Sequence, residues 1–274
     1  MQEDTLKLKK RVNIFINNHP EWGGTFQYTQ LIIKALEKKI HESSLHIYYT
    51  NKIWIKEIQK NTNFLKINYA HLFIIHIFIL LGFNNIPKFI QNYFFYFLPK
   101  TFFDPKEIWV FPSQDIISIL CRGKTIVSIN DLMHRYSNFS ETSSFLRKIY
   151  RDYKFKKISK NSYRVLVDSK LGKKHVEESY GKYGNIRIQY FSALREEISN
   201  DTNLSLGKYL IYPAQFWQHK NHTKLIMAIN ILKKKYSDIK LILKGHKKKK
   251  YKKINNFDKK MNLEKNILFF GFIS

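Results

Sequence analysis

Residues 212–222 read YPAQFWQHKNH. They follow a β-type apolar run, KYLIYPA (208–214), and lead into an amphipathic helical pattern, NHTKLIMAINILKKKY (221–236). A buried strand that opens into Gln, Trp, His, Lys, Asn and His marks a strand-to-helix turn at the carboxyl edge of a parallel sheet, where polar groups collect because ligands bind there. The same alternation recurs outward from this turn. Downstream, IKLILKG (239–245) and NILFFG (266–271) read as strands, and upstream so do RVNIFIN (11–17), SLHIYYT (44–50), EIWVF (107–111), TIVSI (125–129), YRVLV (163–167) and IRIQYF (186–191). Thr25 to Lys39 carries Leu31, Ile32, Ala35 and Leu36 at helical spacing, and further helical stretches lie around 141–160 and 170–180. Strands alternating with helices predict an α/β chain of parallel sheets covered by helices. REEISNDTNLSLG (195–207) is polar and turn-forming, so we read it as a linker between an amino-terminal domain, 1–200, and a partial second domain, 207–274.

Polar residues gather at the strand ends throughout: Asn17, Asn18 and His19; Asn130, Asp131 and His134; Asp168 and Ser169; Gln215, His219, Lys220 and Asn221; Gly245 and His246. Two sheets facing each other would bring these groups into one cleft. Gly23 and Gly24, between the first strand and helix, let backbone approach a ligand closely and set a helix amino terminus toward an anion. A plain tight turn is the equal alternative, since the pair belongs to neither a G-x-G-x-x-G fingerprint nor a P-loop. Lys220 combines its charge with the dipole of the following helix and so suits a diphosphate; a solvated surface lysine is the alternative. For Asp131 and His134 the alternatives to a ligand pocket are a helix cap and a packed imidazole.

Composition narrows the function classes. The 274 residues carry a formal charge of +27, with 44% hydrophobic and 16% aromatic residues, which is globular composition. Such basicity fits a polyanionic partner, but 40 of the 48 basic residues are Lys and only 8 are Arg, so it reads as compositional bias rather than a dedicated nucleic-acid surface. The single cysteine, Cys121, excludes an internal disulfide framework and suits a reducing cytosol. The amino terminus lacks the pattern of a signal peptide. HLFIIHIFILLGFNNIPKFIQNYFFYFLP (71–99) is broken by His76 and falls short of the ~20 apolar residues of a spanning helix, so it reads as a core helix, with peripheral membrane contact as the alternative. KKKKYKK (247–253) reads as a solvated helix start. His219 and His222 are three apart without further ligands at zinc spacing, and no G-x-S-x-G elbow is present.

Four stretches resemble the retaining glycosyltransferases of family 4, which have the two-domain GT-B fold: NHPEWGGTFQYTQLIIKAL (18–36), TIVSINDLMHRY (125–136), YRVLVDSKLGKKHVEESYG (163–181) and YLIYPAQFWQHKNHTKLIMAI (209–229). The last is similar to the "YPAQFWPHKNH" start of the family's donor domain. The resemblance implies two facing Rossmann-like doubly wound domains, the second incomplete here. It implies transfer of a sugar from a nucleotide-sugar to an acceptor hydroxyl with retained configuration, with no cofactor and no essential metal. By the same resemblance Lys220 meets the leaving diphosphate, with Gln215, His219 and Asn221 also binding substrate; Gly23 and Gly24 approach the diphosphate or the acceptor from the other side; and Asn130, Asp131 and His134 are the catalytic candidates, lining the acceptor and sugar pocket. Family habit adds surface polysaccharide or lipopolysaccharide assembly, a lipid-linked or saccharide acceptor, and a cytoplasmic location with peripheral contact to an anionic membrane. Two departures stand out: Asn130 occupies the position of the family's usual His, and Tyr212, Pro213, Ala214 and Gln215 lack its usual Arg. FFGFIS (269–274) resembles a family segment after which the rest of the donor sheet follows. The expectations are therefore an active enzyme, or a non-catalytic remnant or subunit that needs a partner chain; a basic nucleic-acid-binding module is the remaining alternative.

Overall fold

The computed structural model describes residues 10–19, 23–57, 63–67, 73, 77, 98–137, 144–192, 209–245 and 251–271. The chain divides into two compact units, residues 1–136 with 145–194, and residues 137–144 with 195–274.

The first unit is built on a sheet of seven strands among the described residues: β1 (Val12–Ile16), β2 (Leu45–Tyr49), β3 (Asn63–Lys66), β4 (Ile108–Phe111), β5 (Lys124–Ser128), β6 (Arg164–Val167) and β7 (Ile186–Ile188). Their order is β3-β2-β1-β4-β5-β6-β7, and every pairing is parallel. This is the doubly wound order, which reverses between β1 and β4. Parallel strands covered on both faces read as continuous apolar runs, and all five residues of β1, VNIFI, are buried. Alternation then sorts them. Val12, Ile14 and Ile16 pack with Ile33 of helix α1 (Gly24–Lys39) and with Trp54 of the one-turn helix α2 (Trp54–Glu57). Phe15, on the opposite face, joins Trp109, Phe111, Val127 and Val165.

The short helix α3 (Met133–Tyr136) precedes two longer ones, α4 (Phe145–Asn161) and α5 (Lys170–Tyr180). Phe155 and Ile158 of α4 and Val176 of α5 close the core on the Phe15 face, and each fully buried side chain of this size contributes about 1.5–3 kcal/mol. Ser169 starts α5 by accepting the Gly172 N–H at 3.0 Å, and Gly181, at φ 110°, ends it.

The second unit carries β8 (Tyr209–Pro213), helix α6 (His222–Leu232), β9 (Lys240–Lys244), helix α7 (Tyr251–Lys260) and β10 (Ile267–Phe270), with parallel strand order β10-β9-β8. Ile226 and Ile229 of α6 and Ile254 of α7 pack with Phe216, Leu241, Leu243, Leu263 and Ile267. β8 borders the sheet and leaves Tyr209, Leu210 and Ile211 exposed.

The α/β reading of the sequence holds in both units, and three details differ. β3 was not legible, because its four residues are too few for a periodic signal. The helix read as 221–236 starts at His222 and ends at Leu232, before the Lys-rich turn. The strand read as 186–191 stops at Ile188. The linker 195–207, most of 71–99, His246 and the first residues of KKKKYKK lie outside the described residues. Within 71–99, Phe73 and Ile77 are helical and exposed. Among the described residues no helix is long and apolar enough to cross a membrane.

Candidate functional site

In the first unit the carboxyl edge of the sheet is organised around the point where strand order reverses. Asn17, just past β1, accepts the Thr50 hydroxyl through Oδ1 at 3.0 Å and donates through Nδ2 to Asp115, beyond β4, at 3.2 Å. Ser113 donates to the other Asp115 oxygen at 2.6 Å. Asn18 is buried, and its Nδ2 reaches the Thr25 carbonyl at 3.2 Å and Thr29 Oγ1 on α1. Its own carbonyl accepts the Trp54 indole N–H at 2.9 Å, so α1 and α2 are both tied to the end of β1. Gly23 has φ 61° and ψ −115°, a conformation that suits glycine, and its carbonyl accepts the first turn of α1 from Phe26 and Gln27 at 2.9 and 3.1 Å. Gly24 differs, because a Cβ added there meets nothing within 4 Å among the described residues. Among the described residues nothing requires glycine at 24.

Along this edge lies an open cavity of about 480 Å³. Asn17, Asn18 and His19 after β1, Thr50, Asn51 and Lys52 after β2, and Lys66 at the end of β3 line it. The sequence reading singled out the first three only. The strand-end rule that found Asn17 applies equally to Thr50, Asn51, Lys52, Ser113 and Asp115, whereas Lys66 sits on the strand that carried no signal.

At the end of β5 the Asn130 N–H faces Gln114 Oε1 at 3.5 Å, and the Asn130 Nδ2 is buried with no hydrogen-bond partner among the described residues. Asp131 is exposed and accepts the Met133 N–H at 3.0 Å, which makes it the cap of α3. His134 is 2% exposed; its Nε2 lies 3.0 Å from Asp152 Oδ1 and 3.1 Å from the Tyr180 hydroxyl, and its ring meets Phe155 edge-on. Burial holds the imidazole below its ordinary pKa, opposed by the hydrogen bond to and the charge of Asp152. Arg135 Nε donates to the same Asp152 oxygen at 2.6 Å. Burial works to raise the Asp152 pKa, but donation from Arg135, Tyr180 and His134 brings it below the ordinary value. The structure thus places Asp131 and His134 in the cap and packed-imidazole arrangements, where His134 joins α3, α4 and α5. Asp168 accepts the Ser169 hydroxyl at 2.8 Å beside the start of α5.

Lys154 on α4 was not anticipated. Burial pushes its amine down to about 8, opposed by the carboxylates Asp115 and Asp131 at the ends of β4 and β5, and its Nζ lies 5.1 Å from the Phe155 ring. A lysine among helical aromatics carries no periodic signal that separates it from a surface cation.

In the second unit Gln215, His219, Lys220 and Asn221 form a single turn between β8 and α6. Trp217 donates its indole N–H to Gln215 Oε1 at 2.6 Å, and the Tyr212 hydroxyl donates to the Lys220 carbonyl at 3.0 Å. Asn221, in the left-handed conformation at φ 51°, turns the chain into α6. The turn rests on His222, 1% exposed, which stacks on Phe216 at 4.7 Å and meets Tyr212 at 5.2 Å. Burial lowers the His222 pKa; the Ala214 backbone opposes this, and the Lys220 charge adds to it. Gly245, after β9, packs on the Ala214 and Gln215 backbone so closely that a Cβ would lie 2.8 Å from the Ala214 carbonyl carbon. Lys220 remains exposed at the amino end of α6, where free N–H groups and the helix dipole favour an anion. Among the described residues no group of three or more His, Cys, Asp or Glu is arranged to hold a metal ion.

No curated protein matches the chain. Residues 195–274 match the family described as glycosyl transferases group 1. Among solved structures, HepE of Anabaena with UDP and glucose aligns at TM-score 0.64 and 12% identity over 96% of this chain and 70% of HepE. A mutant of S. aureus TarM, solved with fondaparinux, alpha-GlcNAc-glycerol and UDP, aligns at 0.62 and 12% over 96% of this chain and 78% of TarM. The lipopolysaccharide outer core galactosyltransferase WaaB aligns at 0.51 and 12%, over 96% of this chain and 68% of WaaB. At such identities the likeness is one of fold, and it is the GT-B fold that the motifs implied. The chain carries the fold of the GT-B glycosyltransferases, and its residues 195–274 match the group 1 glycosyl transferases.

Proposed function

We propose that the chain is a retaining glycosyltransferase that moves a sugar from a nucleotide-sugar to an acceptor hydroxyl in the assembly of a surface polysaccharide or lipopolysaccharide. The observation that carries this reading is the β8–α6 turn, whose Lys220 stands exposed at a helix amino terminus within the segment that matches the group 1 family. HepE and TarM, solved with UDP, support a uridine nucleotide as the first donor to try. Lys220 and the α6 N–H groups bind the leaving diphosphate. They accelerate transfer to the extent that they hold its growing charge more tightly in the transition state than in the ground state. With that positive charge supplied by protein, the reaction needs no essential metal. The first unit takes the acceptor at its carboxyl strand edge, and retention follows the family resemblance. A formal charge of +27 favours peripheral contact with an anionic membrane at its cytoplasmic face.

The test is sugar transfer by the chain from a panel of radiolabelled UDP-sugars, with the product anomer assigned by NMR. Lys220→Met is expected to lower kcat/KM by about 10²–10³-fold, the scale for losing a charge-stabilising donor. EDTA is expected to leave the rate unchanged. Wild-type kcat/KM in Lys220→Met would remove the diphosphate from this turn. A second reading, a non-catalytic subunit, draws on Asn130, which stands where the family resemblance has His and cannot carry a positive charge. Transfer by the chain alone excludes it.

A further inference from the structure

The cavity at the ends of β1, β2 and β3 has a lining with one chemical bias. Among the described residues its side chains are amides, a hydroxyl, an imidazole and two ammonium groups, Lys52 and Lys66, whose stems, with the Thr50 methyl, supply its aliphatic surface. At about 480 Å³ it lies within the ~300–1,000 Å³ typical of small-molecule sites. Lys52 and Lys66 are exposed and make no ion pair among the described residues. Asp115, the carboxylate bonded to this edge, is engaged by Asn17 at 3.2 Å and Ser113 at 2.6 Å and does not line the cavity. Two cations on one concave surface raise the local concentration of anions, and ammonium groups hold phosphate as point charges. Asn51 and Thr50 beside them offer partners for sugar hydroxyls.

We infer that this cavity binds the anionic end of a phosphorylated saccharide, so that the acceptor taken by the first unit is a sugar phosphate rather than a neutral glycan. The inference rests on reading this unit as the acceptor side. Its test keeps the two apart.

The full chain, labelled with nitrogen-15, is titrated with glucose 6-phosphate, glucose, glucuronic acid and inorganic phosphate, and separately with UDP. Glucose 6-phosphate is expected to bind at least tenfold more tightly than glucose, perturbing the Asn51 and Lys52 amides, and to weaken as salt rises. In Lys52→Ala/Lys66→Ala its Kd is expected to rise at least tenfold while the Kd for UDP stays constant. Both lysines are exposed, so the fold tolerates the change. Equal binding of glucose and glucose 6-phosphate, or an unchanged Kd in the double variant, overturns the inference. Inorganic phosphate binding as tightly as glucose 6-phosphate overturns the saccharide part, and glucuronic acid doing so overturns the phosphate part. Failure of UDP to bind, with the glucose 6-phosphate result intact, counts against the transferase reading and leaves the cavity assignment standing.

Discussion

Replacing Gly245 by alanine drives a methyl group into the Ala214 peptide. Built on the existing backbone, that Cβ lies 2.8 Å from the Ala214 carbonyl carbon and 3.1 Å from Gln215 Cα. Ordinary carbon contacts are about 3.5–4.0 Å, so the end of β9 and the Gln215 turn must separate by about 0.5–1 Å. Both neighbours are main chain, and no rotamer change can relieve the contact. Overpacking of this kind costs about 1–3 kcal/mol, and each kcal/mol lowers Tm by about 2–4 °C in a chain of this size. The displacement also carries Gln215, and with it the approach to Lys220; a misplacement near 1 Å costs on the order of 10²-fold in rate. Gly271→Ala is the control, because a Cβ there meets nothing within 4 Å. Calorimetry and kcat/KM on both variants decide the matter. If Gly245→Ala matches Gly271→Ala in Tm and in kcat/KM, close backbone approach at 245 does not set the donor turn.

The other predictions use the same contrast between what the fold needs and what a ligand needs. Gly24→Ala, whose Cβ enters open space, is expected to leave Tm unchanged or raised while KM for the nucleotide-sugar rises at least tenfold; an unchanged KM would mean that no ligand approaches that backbone. Asp258 on α7 is buried and Asp258 Oδ1 has no partner among the described residues; burial, reinforced by Glu264, lifts its pKa to about 6. The folded state therefore holds a proton that the unfolded chain releases near the ordinary value, so this group's stabilising contribution is full at low pH and is lost as pH rises through about 6. Asp258→Asn is expected to be the more stable protein at pH 7.5, with the advantage shrinking toward pH 5, as read by urea unfolding at each pH. His222 has the opposite sign. Its lowered pKa makes its contribution full above about 6.5 and lost as pH falls below that, and His222→Phe is expected to flatten this limb; an imidazole Cε1 resonance that titrates at or above 6.5 would refute the assignment.

Much of the fold was legible in the sequence because it rests on local signals. Apolar runs of β-branched and aromatic residues mark β1, β2, β4, β5, β6, β8, β9 and β10, helical spacing marks α1 and α6, and polar residues follow the strands. Asn17, Asn18 and His19, and the turn from Gln215 to Asn221, were found on that basis, and each set is contiguous in space as in sequence. β3 and Lys66 escaped because four residues hold too little periodicity. Lys154 escaped because its setting depends on charges more than twenty positions away, Asp115 and Asp131.

The sequence by itself determined which segments become strands and helices and where polar groups leave the sheet, since period and propensity act over a few residues. Tertiary structure alone decided what those groups do. Asp152, 18 positions from His134, and Tyr180, 46 positions away, turn that histidine into a packed link between three helices. Asp115, 98 positions from Asn17, locks the point where strand order reverses. Register and packing select such distant partners from several of the same chemical type, and only the folded chain contains that choice.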